Sequence, residues 1–170
     1  MSEFQKRNII SKLLRLGPLL ILFISVLNEI DLNYIKFFSF NFTFILIFYW
    51  SLRRAESLGY GYMFLAGLIN DVVTGFPIGI SSFNYLLICG FAAYLRTITL
   101  RPNLVKDWFF FLFTILVVNS ASYSILNIFF SVDLNYYNLF VNIFFTFIFY
   151  IIFANLFLIY QHKFFKESND

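Results

Sequence analysis

Charge is what this chain has least of. Asp, Glu, Lys and Arg make up 12% of its 170 residues, about half of the ~25% usual in a soluble domain. So few charges cannot coat a water-facing surface, which excludes a soluble enzyme. With 61% hydrophobic residues, a disordered chain is excluded too. Cysteine occurs once, as Cys89, which rules out an internal disulfide and a cysteine-rich metal site. Histidine also occurs once, as His162, so no HExxH-type zinc pair can form. No glycine-rich loop leads into a GK[ST] phosphate cradle. An intramembrane protease needs a base or metal ligands within reach of its nucleophile. Here Cys89 has no neighbouring His or Lys in the sequence, and His162 lies beyond the last apolar run. The expectation is a protein that is not an enzyme, with no metal and no cofactor.

What the chain does have is aromatic and aliphatic bulk: 24% of residues are aromatic, 27 of them Phe. Six apolar stretches are marked off by charged or turn-forming residues, at about 17–30, 37–52, 58–73, 78–95, 108–130 and 136–160. Beta-barrel strands would alternate in polarity over about ten residues. Runs such as FTFILIFYW and VNIFFTFIFYIIFANLFLIY are apolar on every side instead. The sequence therefore predicts an all-α integral membrane protein of six transmembrane helices, forming one domain over residues 1–170 with short tails at about 1–15 and 161–170. The first stretch lacks a small-residue cleavage site and reads as a retained helix. The first four spans are short and the last two long. A short span thins the bilayer or is broken within it, so the joint NDVVTGFPIG is expected to dip into the protein.

The cations fix an orientation. Lys6, Arg7, Lys12, Arg15, Arg53, Arg54, Arg96, Arg101, Lys106, Lys163 and Lys166 fall on one side of the predicted weave, eleven of the twelve Lys and Arg. Lys36 alone falls on the other, with Glu29, Asp31, Asp71 and Asp133. Positive loops stay in the cytoplasm, which puts both termini there. Trp50, Tyr60, Tyr94, Trp108 and Tyr160 then sit at the inner interface, and Tyr34, Tyr136 and Tyr137 at the outer one. The net charge of +3 is an orientation signal and a match to anionic lipid headgroups, not a nucleic-acid footprint.

One segment stands apart, GLINDVVTGFPIGISSFNYLL. Five of the seven glycines lie between Gly59 and Gly79. Gly67 is four residues before Asp71 and shares its helix face, so another backbone can approach there. Gly75, Pro77 and Gly79 suit a tight turn between antiparallel helices. A charge deep in lipid costs roughly 2.5–3.5 kcal/mol, so Asp71 must face protein or water. The start of the fourth helix, just across the turn, offers free N–H groups and a positive dipole end. Asp71 is expected to cap it and pin the hairpin; the plainer alternative is that it reaches interfacial water.

Two polar seams run along the long helices: Asn119, Tyr123 and Asn127 in the fifth, and Asn138, Asn142 and Thr146 in the sixth. With Asn84 and Asp71 they would line a small outward-facing polar cavity. The competing reading is that these amides cross-link packed helices, at about 0.6 to 2 kcal/mol each.

The stretch from Gly67 to Asp71, followed by Gly75, Pro77, Ile78 and Gly79, resembles the motif of MreD, a family of bacterial rod shape-determining membrane proteins. That resemblance implies six helices in the inner membrane and a non-catalytic scaffold role in cell-wall elongation, with MreC as partner. MreB, the RodA glycosyltransferase and a penicillin-binding transpeptidase complete the implied complex. Gly67, Asp71, Gly75, Pro77 and Gly79 would then shape the hairpin or a docking surface. The family is also similar in fold to the S components of energy-coupling vitamin transporters. The alternative function is therefore a substrate-binding S component, although the first span, LGPLLILFISVLNEI, lacks the AxxxA-like pair such proteins use to dock.

Overall fold

The computed structural model describes residues 16–27, 40–53, 58–99, 103–131 and 136–166, with side chains as far as residue 161. Tails 1–15 and 167–170, the acids and Lys36 assigned to the outer loops (Asp71 apart), Tyr34, Arg54, Arg101 and the side chains of His162, Lys163 and Lys166 lie outside the described residues. Within them every regular element is a helix. Helix α1 is Leu16–Leu27. The others are α2 (Phe42–Arg53), α3 (Tyr60–Thr74), α4 (Ile80–Ile98), α5 (Leu104–Phe130) and α6 (Tyr136–Lys166).

Each helix corresponds to one apolar stretch of the sequence, and local capping accounts for where several begin. Helix α2 starts after Asn41, whose side-chain oxygen accepts the Phe44 N–H at 3.1 Å, an N-cap bond. Helix α5 starts four residues earlier than its apolar run. Asn103 accepts the Val105 N–H at 3.0 Å, and Asp107 in the first turn suits the positive end of the helix.

Helix α2 is the axis of the bundle. Its residues from Thr43 to Leu52 are all buried, because FTFILIFYW has no polar face to turn outward. It packs on α4 and α6, while α4 also carries α3 and α5, and α5 packs on α6. Phe48 meets Phe111 and Tyr150 at ring-centroid distances of 5.0 and 5.8 Å, and Tyr49 meets Phe157 at 5.2 Å. Trp50 is buried in this core and is not an interfacial anchor, contrary to the sequence expectation. A hydroxyl pair, Ser25 and Thr43 at 3.0 Å, ties α1 to α2.

Helices α5 and α6, of 27 and 31 residues, are long and apolar enough to cross a membrane. Only 33% and 28% of their most apolar windows is buried. The core helix of a soluble protein would be mostly buried, so these flanks suit lipid. Trp108 binds the two together: its ring stacks on Phe147 at 4.4 Å and its indole N–H donates to the Phe147 carbonyl at 2.8 Å. The remaining helices are shorter or more polar and do not meet the same test.

The joint between α3 and α4 corrects one expectation. It does not dip into the protein: Gly75, Phe76 and Ile78 are exposed, and Pro77 and Gly79 half-buried. The helices on either side are unbroken, and what is buried is Asp71, one turn beneath the surface.

Candidate functional site

The α3–α4 hairpin is organised around Asp71, whose side chain is fully buried. Its Oδ2 accepts the Gly79 N–H at 2.7 Å and its Oδ1 the Ser81 N–H at 2.9 Å. These are orphan donors of the first turn of α4, which has no capping side chain of its own because its N-cap is Gly79. The main-chain oxygen of the same residue ends α3: it accepts from Gly75 and, at 3.0 Å, from Phe76. That is the Schellman-type closure a left-handed glycine permits, and Gly75 has φ of 70°. One residue therefore closes both helix ends at the turn.

Below the turn the helices touch through backbone. A Cβ on Gly67 would run into the Cα and N of Ser82, and Ser82 donates to the Phe64 carbonyl at 2.9 Å. Asn70 donates to Ser81 at 2.9 Å. The five motif residues Gly67, Asp71, Gly75, Pro77 and Gly79 thus occupy one continuous hairpin. Gly67 and Asp71 are buried in its contact face, while Gly75, Pro77 and Gly79 lie in the turn.

Beside the hairpin lies an open cavity of about 650 Å³. It is lined by the ends of α1, α3 and α5 and by the beginnings of α2, α4 and α6, so the six helices alternate in direction. Asn84, Asn119, Tyr123, Asn138 and Asn142 line it. Asn127 does not; it is exposed on the outside of α5. Asp71 also stays behind the wall, although Asn70 and Ser81 beside it face in. Asn41, Tyr85 and Ser122 are lining residues the sequence did not single out. Asn41 carried a readable signal, since an Asn just before a long apolar run marks a helix start. Tyr85 and Ser122 carried none.

Part of this polar set does cross-link helices. Ser122 of α5 donates to the Asn84 amide oxygen of α4. The Asn41 N–H donates to Thr146 of α6 at 2.9 Å. Asn119, by contrast, bonds within its own helix, donating to the Ile115 carbonyl at 2.9 Å. Cross-linking and cavity lining therefore coexist, in Asn84 and Ser122 within the same residues. Among the described residues no charged side chain lines the cavity.

At the far end of the bundle Arg53, the last residue of α2, bonds Asp107 in the first turn of α5 at 2.8 Å. Arg53 is thus a structural partner as well as one of the cations of the basic loops. Cys89 is buried beside the Ser51 hydroxyl at 3.3 Å, a small contact between α4 and α2. Among the described residues no three His, Cys, Asp or Glu side chains come together as metal ligands.

The model of the MreD family, described as rod shape-determining protein MreD, matches residues 8–167. No curated protein and no solved structure matches the chain, so the likeness to S components rests on the sequence resemblance alone.

Proposed function

The chain belongs to the MreD family of rod shape-determining proteins, and from that premise we propose that it is a non-catalytic six-helix membrane scaffold that holds MreC within the wall-elongation machinery. MreB, RodA and the transpeptidase are then reached through the assembly. The observation that carries this reading is the uncovered apolar surface. Phe109, Phe113, Leu116, Phe140, Phe144 and Ile152 are exposed along α5 and α6, and Tyr60, Phe64, Leu65 and Val72 are exposed along α3. Water would penalise such faces at about 25 cal/mol per Å². Lipid or the single membrane helix of a partner would cover them.

In this reading all six helices lie in the inner membrane, with both termini in the cytoplasm. The shortness of α2 is then no obstacle. Its 12 residues reach only about 18 Å at 1.5 Å per residue, short of a ~30 Å hydrocarbon core. Protein covers it on every side, however, so it has little lipid to match. The alternating charge puts the Asp71 turn and the cavity mouth outside, and Arg53–Asp107 at the cytoplasmic face.

The test is a pull-down of tagged protein from native membranes, with crosslinkers placed on the hairpin. MreC should be enriched. If neither MreC nor any wall-synthesis enzyme is enriched over an unrelated six-helix control, the scaffold reading fails. Topology is checked separately by a reporter fused after α6 and an impermeant label near Phe76.

A further inference from the structure

We infer that the cavity between the hairpin and the long helices is a binding site for an uncharged small molecule that carries several hydroxyl or amide groups and one apolar face. Its volume of about 650 Å³ falls within the ~300–1,000 Å³ range of small-molecule sites. It has room for about twenty waters at ~30 Å³ each, too much space for a few structural waters bridging helices.

The lining decides the chemistry. Asn70, Asn84, Asn119, Asn142, Tyr85 and Tyr123 bring amides and phenols from four helices to one space. An amide offers donor and acceptor side by side, and a phenol offers both on one oxygen. Neighbouring hydroxyls, or another amide, match that pattern. An acyl chain does not: Asn70, Asn84 and Asn119 each make one protein hydrogen bond, but an amide has further donor and acceptor positions, which hydrocarbon would strip of water and could not satisfy.

Charge is disfavoured for a different reason. Among the described residues no Asp, Glu, Lys, Arg or His lines the space. Asp71, beside it, is sealed off and already holds the Gly79 and Ser81 amides. A charged ligand would meet no counter-charge among these lining residues. Phe44 and Phe76 supply an apolar wall, which suits the C–H face of a ring whose edges carry the polar groups.

This inference does not depend on the scaffold reading, and its experiment needs no partner. The full chain in lipid nanodiscs is heated with myo-inositol, glucose and N-acetylglucosamine. Their charged counterparts, glucuronate and glucosamine, are run beside them. At least one neutral probe should protect saturably at millimolar concentration, and the charged ones should not. Asn119→Leu and Tyr123→Phe should each weaken that protection by about tenfold, the ~1.4 kcal/mol expected for one lost hydrogen bond. Asn127→Leu, outside the cavity, should leave it unchanged. The inference is overturned if no neutral probe protects, if charged probes protect equally, or if Asn127→Leu is as harmful as Asn119→Leu.

Discussion

Asp71 and Asp107 are both almost wholly buried, at 0% and 2% exposure, and they sit at opposite ends of the bundle. Asp71 is answered by backbone: two amides of α4 hold its oxygens. Asp107 is answered by a side chain, the Arg53 guanidinium at 2.8 Å. An amide cap needs a turn of fixed shape, because its donors cannot move independently of the chain. An ion pair needs only two helix ends brought within reach. The hairpin end of the bundle is thus held by backbone geometry and the opposite end by complementary charge.

The sharpest way to break this comparison is at Gly67. The hairpin works because α3 and α4 approach to backbone contact, and Gly67→Leu would drive a side chain into Ser82. Overpacking costs about 1–3 kcal/mol where side chains can shift. Here the obstacle is backbone, so about 3 kcal/mol or more is expected, read as loss of folded protein by fluorescence-detected size exclusion in detergent. A variant that keeps the wild-type melting temperature would show that the helices do not need that approach.

Next in size is Asp71 itself. Asp71→Leu orphans the buried Ser81 N–H and the half-buried Gly79 N–H, at about 1–3 kcal/mol for a buried one, and should cost about 2–4 kcal/mol in thermal unfolding. Asp71→Asn keeps one acceptor oxygen but turns an NH₂ toward the second amide, so about half that loss is expected. No melting shift in Asp71→Asn would count against the cap.

The Arg53–Asp107 end should behave differently. Asp107→Leu alone leaves the Arg53 charge, which keeps some solvent contact, unanswered and should cost about 1–3 kcal/mol; Arg53→Met orphans the more deeply buried Asp107 and should cost about 3 kcal/mol, the low end for a broken buried pair. The double variant should recover part of that loss, since replacing both partners removes the orphan. A double-mutant cycle by thermal unfolding measures the coupling. If the two losses simply add, the ion pair contributes nothing, and the contrast between the two ends disappears.

The same contrast explains what the sequence disclosed. Asp71 and its turn were legible because acid, glycines and proline all lie within about one hairpin of chain, where local rules apply. Arg53 and Asp107 are 54 residues apart, and nothing local relates them. The apolar runs announced six helices but not their surroundings. Helix α2 is enclosed by protein while much of α6 is uncovered, yet both read as apolar all round, because lipid and protein interiors favour the same side chains. The seam from Asn119 to Asn127 failed for a geometric reason. Steps of four residues advance the face by about 40° each on a helix of 3.6 residues per turn. After two steps Asn127 has rotated by about 80° and leaves the cavity that Asn119 and Tyr123 line.

The smallest expected effect separates the two roles of the cavity's polar groups. Ser122 and Asn84 face each other across α5 and α4, so Ser122→Ala removes an interhelical bond. Such bonds average about 0.6 kcal/mol in membrane proteins, because the less folded chain also finds partners. Asn119 bonds only the carbonyl one turn back on its own helix in the contacts described for it, so Asn119→Leu should leave thermal stability within about 0.5 kcal/mol of the parent. Both residues line the same space, and side-by-side melting of the two variants tells them apart. A loss at Asn119 as large as that at Ser122 would mean that the lining amides serve packing alone. A loss confined to Ser122 would leave Asn119 with a polar group that the fold does not require, facing an open cavity.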